Sequence, residues 1–382
     1  MIENINLNNH GCYECEGKLF YSKLQAIMHD QQYQPADGIK FKFNDEIYSQ
    51  YDWSIEPTET LDQLYLRRAL ELREKYDYLV LHFSGGSDSC QILETFLNNN
   101  IKIDEIFIRG SIASSTREKT NNPQNFYAEI FFQSIPLAEM VKNQYWPDLK
   151  IRVLDVIPYT LKAWADNPDW VDSHELNHFT PSVIYRMDYD ELCPEYKHLS
   201  DRGLKVGHMT GIEKPGIAYE NGRYIVRFLD KLIAHHMPKS RRENQLPLYV
   251  EPFFWSASSG PLIIKQAHTI KNYIKQHNLD PTQVFKPKNE RTVQADISDF
   301  IARIIYKRRL PLLMENHLVL KPNKDVFQFD WFFFADKESQ HYRSWKMGMD
   351  HLQATLPEKY LHNGSVFDGL KGMFSRSYDI GG

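Results

Sequence analysis

Tyr78-Leu79-Val80-Leu81-His82-Phe83-Ser84-Gly85-Gly86-Ser87-Asp88-Ser89 sets the fold class of this chain. Its first half is almost continuously apolar, as a parallel strand covered on both faces requires. A Gly-Ser turn follows. Beyond it Ile92, Leu93, Phe96 and Leu97 fall on one helical stripe that ends in an Asn run. Glu105-Ile106-Phe107-Ile108-Arg109 then reads as a second strand, completing a βαβ unit. A helical pattern around Phe126–Lys142 and a strand at Lys150–Val156 repeat the alternation. This order predicts an α/β protein with a doubly wound parallel sheet, whose ligands sit at the carboxyl ends of the strands.

Upstream, Leu61, Tyr65, Ala69, Leu72 and Tyr76 share a helical face, with Thr58 or Thr60 as N-cap and Asp62 in the first turn. The 57 residues before that helix are polar and broken by Asn, Gly and Pro; Ile39-Lys40-Phe41-Lys42-Phe43 alternates like a strand exposed on one face. Downstream, Leu204–His208 reads as a further strand and Asn221-Gly222 as a hairpin turn. Past about Met237, two helical stripes appear, one through Ile263, Ala267, Ile270 and Ile274, the other through Ile297, Phe300, Ile301, Ile304 and Ile305. The expected organisation is a small N-terminal accessory layer over 1–57, an α/β core over 58–236 and a mostly helical region over 237–382.

Composition excludes several classes. At 382 residues and 42% hydrophobic content the chain can bury a large core without disulfide or metal staples. Its 45 basic and 50 acidic residues leave a net charge of −5, so the whole-protein field offers no argument for nucleic acid or an anionic membrane. No apolar run approaches the roughly 18–20 residues that span a bilayer, and MIENINLNNHG lacks the pattern of a signal peptide, so the expected location is the cytoplasm. Four cysteines are too few for a disulfide framework. The aromatic share of 13% is high, with clusters at Tyr145-Trp146, Phe253-Phe254-Trp255 and Trp331–Phe334. Core packing accounts for most of those rings, and the rest mark where a substrate pocket is to be sought.

The turn itself carries the chemistry. Gly85 and Gly86 lack Cβ, so the backbone can bend sharply and bring its N–H groups against a bulky anion. Ser84, Ser87 and Ser89 add hydroxyl donors, and the helix adds its N-terminal amides and positive dipole end. Asp88 would repel phosphate oxygens unless a divalent cation bridges them, and Mg²⁺ with phosphates is the usual arrangement. The residues thus point to a metal–nucleotide ligand. Neither the P-loop pattern nor the dinucleotide G-x-G-x-x-G is present.

Ser84–Ser89 instead matches S-G-G-x-D-S, and over roughly Leu72–Ile217 the chain resembles the PP-loop ATP pyrophosphatases, the adenine nucleotide alpha hydrolase-like (HUP) enzymes that include asparagine synthetase, NAD synthetase and deazaguanine synthase. The resemblance implies an ATP- and Mg²⁺-dependent enzyme that adenylates a carboxylate or carbonyl, releases pyrophosphate, and passes the activated carbon to ammonia or an amine with loss of AMP. It assigns Ser84, Gly85, Gly86, Ser87 and Ser89 to phosphate and Asp88 to metal. It sets the adenine, by position alone, near His82, Phe83, Ile108 and Arg109. A later loop, Gly207-His208-Met209-Thr210-Gly211-Ile212-Glu213-Lys214-Pro215, has the character of the second site loop in such enzymes. Glu213 is expected at a metal or amine site and Lys214 at phosphate or departing charge; a solvated turn with an ordinary ion pair is the competing reading.

Other features narrow the reaction. Ile2 stands where a glutaminase with an N-terminal nucleophile would need Cys, so nitrogen is expected as free ammonia, as an amine substrate or from a separate donor protein. Cys90 follows the motif as a helix residue suited to core filling, and Cys12-x-x-Cys15 is half a zinc site, a redox pair or two free thiols. His235-His236 with Lys239, Arg241 and Arg242, and Arg303 with Lys307, Arg308 and Arg309, keep a nucleic-acid or nucleotide substrate open. ATP-dependent amidation or thiolation of a nucleobase, and a non-catalytic nucleotide-binding protein, remain as alternatives.

Overall fold

A computed structural model of the protein describes residues 11–110, 129–166, 170, 193–211, 216–230, 249–286, 297–306 and 331–382. The N-terminal layer is a small antiparallel sheet of β1 (Cys12–Cys15), β2 (Lys18–Phe20) and β3 (Ile39–Lys42), ordered β2-β1-β3, with α1 (Lys23–Tyr33) between β2 and β3. After a short helical turn at Asp45–Tyr48, α2 (Leu61–Lys75) begins with a capping box: the Gln63 amide donates to the Thr60 hydroxyl, and the Thr60 amide donates to the Gln63 side chain. It delivers the chain into β4 (Tyr78–His82), which α3 (Ser87–Asn98), β5 (Glu105–Gly110), α4 (Ile135–Gln144) and β6 (Lys150–Asp155) follow. Then come α5 (Ile157–Asp166), α6 (Pro194–Asp201) and β7 (Val206–Thr210). The hairpin of β8 (Gly216–Glu220) and β9 (Arg223–Arg227) turns on Asn221 and Gly222, both at positive φ. The described elements close with β10 (Tyr249–Pro252), α7 (Gly260–Gln276), α8 (Ile297–Ile305), α9 (Gln340–Thr355) and β11 (Tyr378–Asp379).

Five strands form the central sheet in the order β10-β7-β4-β5-β6, and every neighbouring pair is parallel. The chain lays down β4, β5 and β6 outward in one direction, then crosses back to place β7 and β10 on the other side of β4. The reversal falls between β4 and β7, where such sheets open a crevice beyond their carboxyl ends. Side chains alternate across the sheet. Leu79, Leu81, Ile106, Ile108 and Met209 enter the main core with Leu93 and Phe96 of α3; Val80, Phe107 and Val206 pack on the other face against Cys193 and Tyr196 at α6.

The main core draws on all three stretches 1–57, 58–236 and 237–382: Tyr13, Phe43 and Trp53 join Leu72 and Leu81, and Ile263, Ile270 and Tyr378 complete it. The edge strand β10 comes from beyond residue 236, so the parallel sheet is not confined to 58–236, and β11 pairs with β9. A second cluster gathers Trp164, Trp170, Phe333 and Trp345. No helix among the described residues is long and apolar enough to cross a membrane.

Candidate functional site

At the carboxyl end of β4 the Phe83 amide still donates to the Phe107 carbonyl, at 2.9 Å, which carries the chain to the edge of the sheet before it turns. The turn is made at Gly85, with φ at +76°. A Cβ there would also lie 2.8 Å from the Gln133 Cγ and the Ser134 Oγ, because a π-helical turn, Ile130–Ser134, presses against the loop. The Ser134 hydroxyl donates to the Ser84 carbonyl and clamps the two together. Inside the loop the Gly86 amide donates to the Ser84 hydroxyl at 3.3 Å, and the Ser89 hydroxyl donates to the Gly86 carbonyl at 3.2 Å. The N-cap residue of α3 is Gly86, which has no side chain with which to cap. First-turn amides of a helix have no acceptor within it and concentrate the positive end of its dipole. A rigid loop, three serines and an uncapped helix start therefore converge at the sheet's reversal point.

Gly211, directly after β7, stands on the other side: a Cβ there would come within 3.0 Å of the Asp88 carbonyl carbon and the Ser89 nitrogen, so only a glycine lets the end of β7 approach the start of α3 this closely. Glu213 and Lys214 follow directly, and both lie outside the described residues.

Asp88, half-buried in the first turn of α3, accepts a hydrogen bond at Oδ1 from the Tyr306 hydroxyl, 2.6 Å away. Among the described residues no three His, Cys, Asp or Glu side chains converge as a metal-binding group. A carboxylate beside a phosphate cradle suits Mg²⁺, which is commonly held by one or two carboxylates together with substrate phosphates.

On the face away from α3, His82 Nε2 and His208 Nδ1 are 3.0 Å apart, within hydrogen-bond distance. Burial, with His208 and Arg109 nearby, holds the His82 pKa well below its usual value, so the ring is neutral at pH 7. Thr210, two residues on from His208, is buried, and its hydroxyl has no hydrogen-bond partner among the described residues. The four residues expected near adenine thus divide. His82 is half-buried and Arg109 exposed, whereas Phe83 and Ile108 belong to the main core.

The remaining candidates separate in the same way. All four cysteines are buried free thiols, and the Cys90 thiol donates to the Gly85 carbonyl at 3.2 Å. His29, on α1, packs against Phe20 and Tyr33. Phe253, Phe254, Trp255 and Phe333 are core residues. His235, His236, Lys239, Arg241, Arg242, Lys307, Arg308 and Arg309 lie outside the described residues, and Arg303 is exposed on α8. Tyr306 was missed by sequence reasoning because it follows the α8 stripe without any motif linking it to the loop. Thr210 was visible only as a member of a turn-rich segment. In comparison with known proteins, no family model matches the chain and no curated protein matches it.

Proposed function

We propose that the protein is a PP-loop ATP pyrophosphatase of the adenine nucleotide alpha hydrolase-like type, an enzyme that adenylates a carboxylate or carbonyl and hands it to ammonia or an amine. The observation that carries this reading is the Ser84–Ser89 loop, clamped by Ser134 and opening onto an uncapped helix at the reversal point of a parallel sheet. Ser84, Gly85, Gly86, Ser87 and Ser89 hold the departing pyrophosphate through hydroxyls and first-turn amides, donors that strengthen as charge builds on the leaving oxygens. Asp88 would hold Mg²⁺, which when bound offsets phosphate charge. Glu213 and Lys214, the residues just past Gly211, are assigned the acidic and basic roles around the adenylate. Nitrogen is favoured over sulfur because all four thiols are buried and Cys90, the one nearest the loop, is turned toward the Gly85 carbonyl.

ATP–pyrophosphate exchange across a panel of carboxylic acids, with and without ammonium, tests the reading. Exchange that depends on one acid, with AMP formed only when the nitrogen donor is added, is the expected result. Mg·ATP binding with neither exchange nor AMP for any acid would favour a nucleotide-binding protein without turnover. Absence of ATP binding would sink the reading.

A further inference from the structure

The acidic residue of the loop is contacted from far along the chain. Tyr306 directly follows α8, whose Ile301, Ala302 and Ile305 are buried in the main core. Its ring is 4% exposed, 5.5 Å from the Phe254 ring and 6.4 Å from that of Tyr65. The backbone at this helix end is fixed as well. The Tyr65 hydroxyl donates to the Ile305 carbonyl at 3.2 Å, and the Gln266 amide donates to the Tyr65 hydroxyl at 3.0 Å. The phenol is thereby held in an aromatic socket with its hydroxyl on Asp88 Oδ1.

We infer that Tyr306 is a positioning residue for the nucleotide site: its hydroxyl fixes the rotation of the Asp88 carboxylate, so that α8 is a working part of the site and not only a covering helix. This rests on the reading above, in which Asp88 serves Mg²⁺. An ionised carboxylate accepts at about four lone-pair sites, so a single phenolic hydrogen bond is compatible with a cation on the same group. The bond also restrains the rotation of the carboxylate at the helix start. A bond from a neutral donor to a charged acceptor is stronger than one between neutral groups, which suits it to that restraint.

The test is calorimetric binding of a non-hydrolysable ATP analogue, with Mg²⁺ and with chelator, to wild type, Tyr306→Phe and Tyr65→Phe. The expected result is that Tyr306→Phe binds the metal-free analogue as wild type does and loses about tenfold in the affinity gained on adding Mg²⁺. Tyr65→Phe, which keeps the ring packed beside the phenol and removes only the hydroxyl bonded to the Ile305 carbonyl, keeps most of that gain. Equal loss in both variants would make the effect structural and overturn the inference. So would an undiminished gain in Tyr306→Phe, and a larger gain would mean that the phenol competes with the cation. These outcomes leave the proposed function standing, whereas wild-type affinity that is indifferent to Mg²⁺ would overturn the metal role of Asp88 and the inference together.

Discussion

Gly85 and Asp88 make different demands on the same turn. Gly85→Ala puts a Cβ against Ser134 and Gln133 at positive φ, so about 1–3 kcal/mol of stability is expected to be lost. The clamp must also shift, and nucleotide affinity should fall in step; denaturant unfolding and analogue binding on the same samples check both. Asp88→Asn keeps an oxygen for the Tyr306 hydroxyl but removes the charge. Its thermal midpoint should therefore stay at the wild-type value while the Mg²⁺-dependent part of ATP binding disappears. A variant that unfolds early, or that still responds to Mg²⁺, would contradict this assignment. The cradle was legible in the sequence because all its groups are contiguous and each residue type has a local reason to be there. Tyr306 was not legible, because it reaches Asp88 through the packing of α8 and no local pattern encodes that approach.

Among the elements, β10 is a four-residue edge strand that depends on one buried charge. Glu251 accepts hydrogen bonds from Arg68 at 2.9 Å, from Lys75 at 2.6 Å and from the Tyr76 hydroxyl, which ties β10 to α2 and the turn after it. Burial alone would raise the Glu251 carboxyl, but Arg68 and Lys75 outweigh it and bring the pKa down to about 2. A carboxyl lowered from its usual 4.5 to about 2 supplies about 3 kcal/mol of folding stability. That stability is fully present above pH 4.5 and is lost as the pH falls from there to about 2. Glu251→Gln removes the buried counter-charge of Arg68, leaves it the partly exposed Glu71, and should cost about 3 kcal/mol at pH 7. The gap between wild type and variant, read from urea midpoints, should close on acidification over that window; a constant gap would show that the charge is not responsible. Most of these elements were legible, since the period of apolar residues gives helix or strand directly and the capping box marks the start of α2. The place of β10 in the sheet was not, because nothing local in Tyr249–Pro252 records its register with β7.

Across the whole molecule, early and late residues are fastened to each other. Lys23 donates to Asp230 and to the Lys371 carbonyl, and Asp30 accepts from Lys359 and Tyr360. Trp53 stacks on Tyr378 at 4.3 Å, while Ile380 is fully buried and its carbonyl accepts from Lys271. Tyr378→Ala removes a ring shared by the N-terminal layer and the main core and should cost about 3–5 kcal/mol. Calorimetry should show the entire transition moving down as one; a separate low-temperature peak for the N-terminal layer would contradict this coupling. The sequence made residues 1–57 look like an accessory layer because their partners lie hundreds of positions away, where no periodicity can register them. Those distances bear on how the protein is made. A chain emerging from the ribosome at about 5–20 residues per second presents its first strands long before the segment around residues 359–380 exists. Phe41, Phe43 and Trp53 must wait with their apolar surface uncovered, so shielding by a chaperone during synthesis and rapid disposal of prematurely terminated chains are the expected cellular correlates of a core completed only by its last residues.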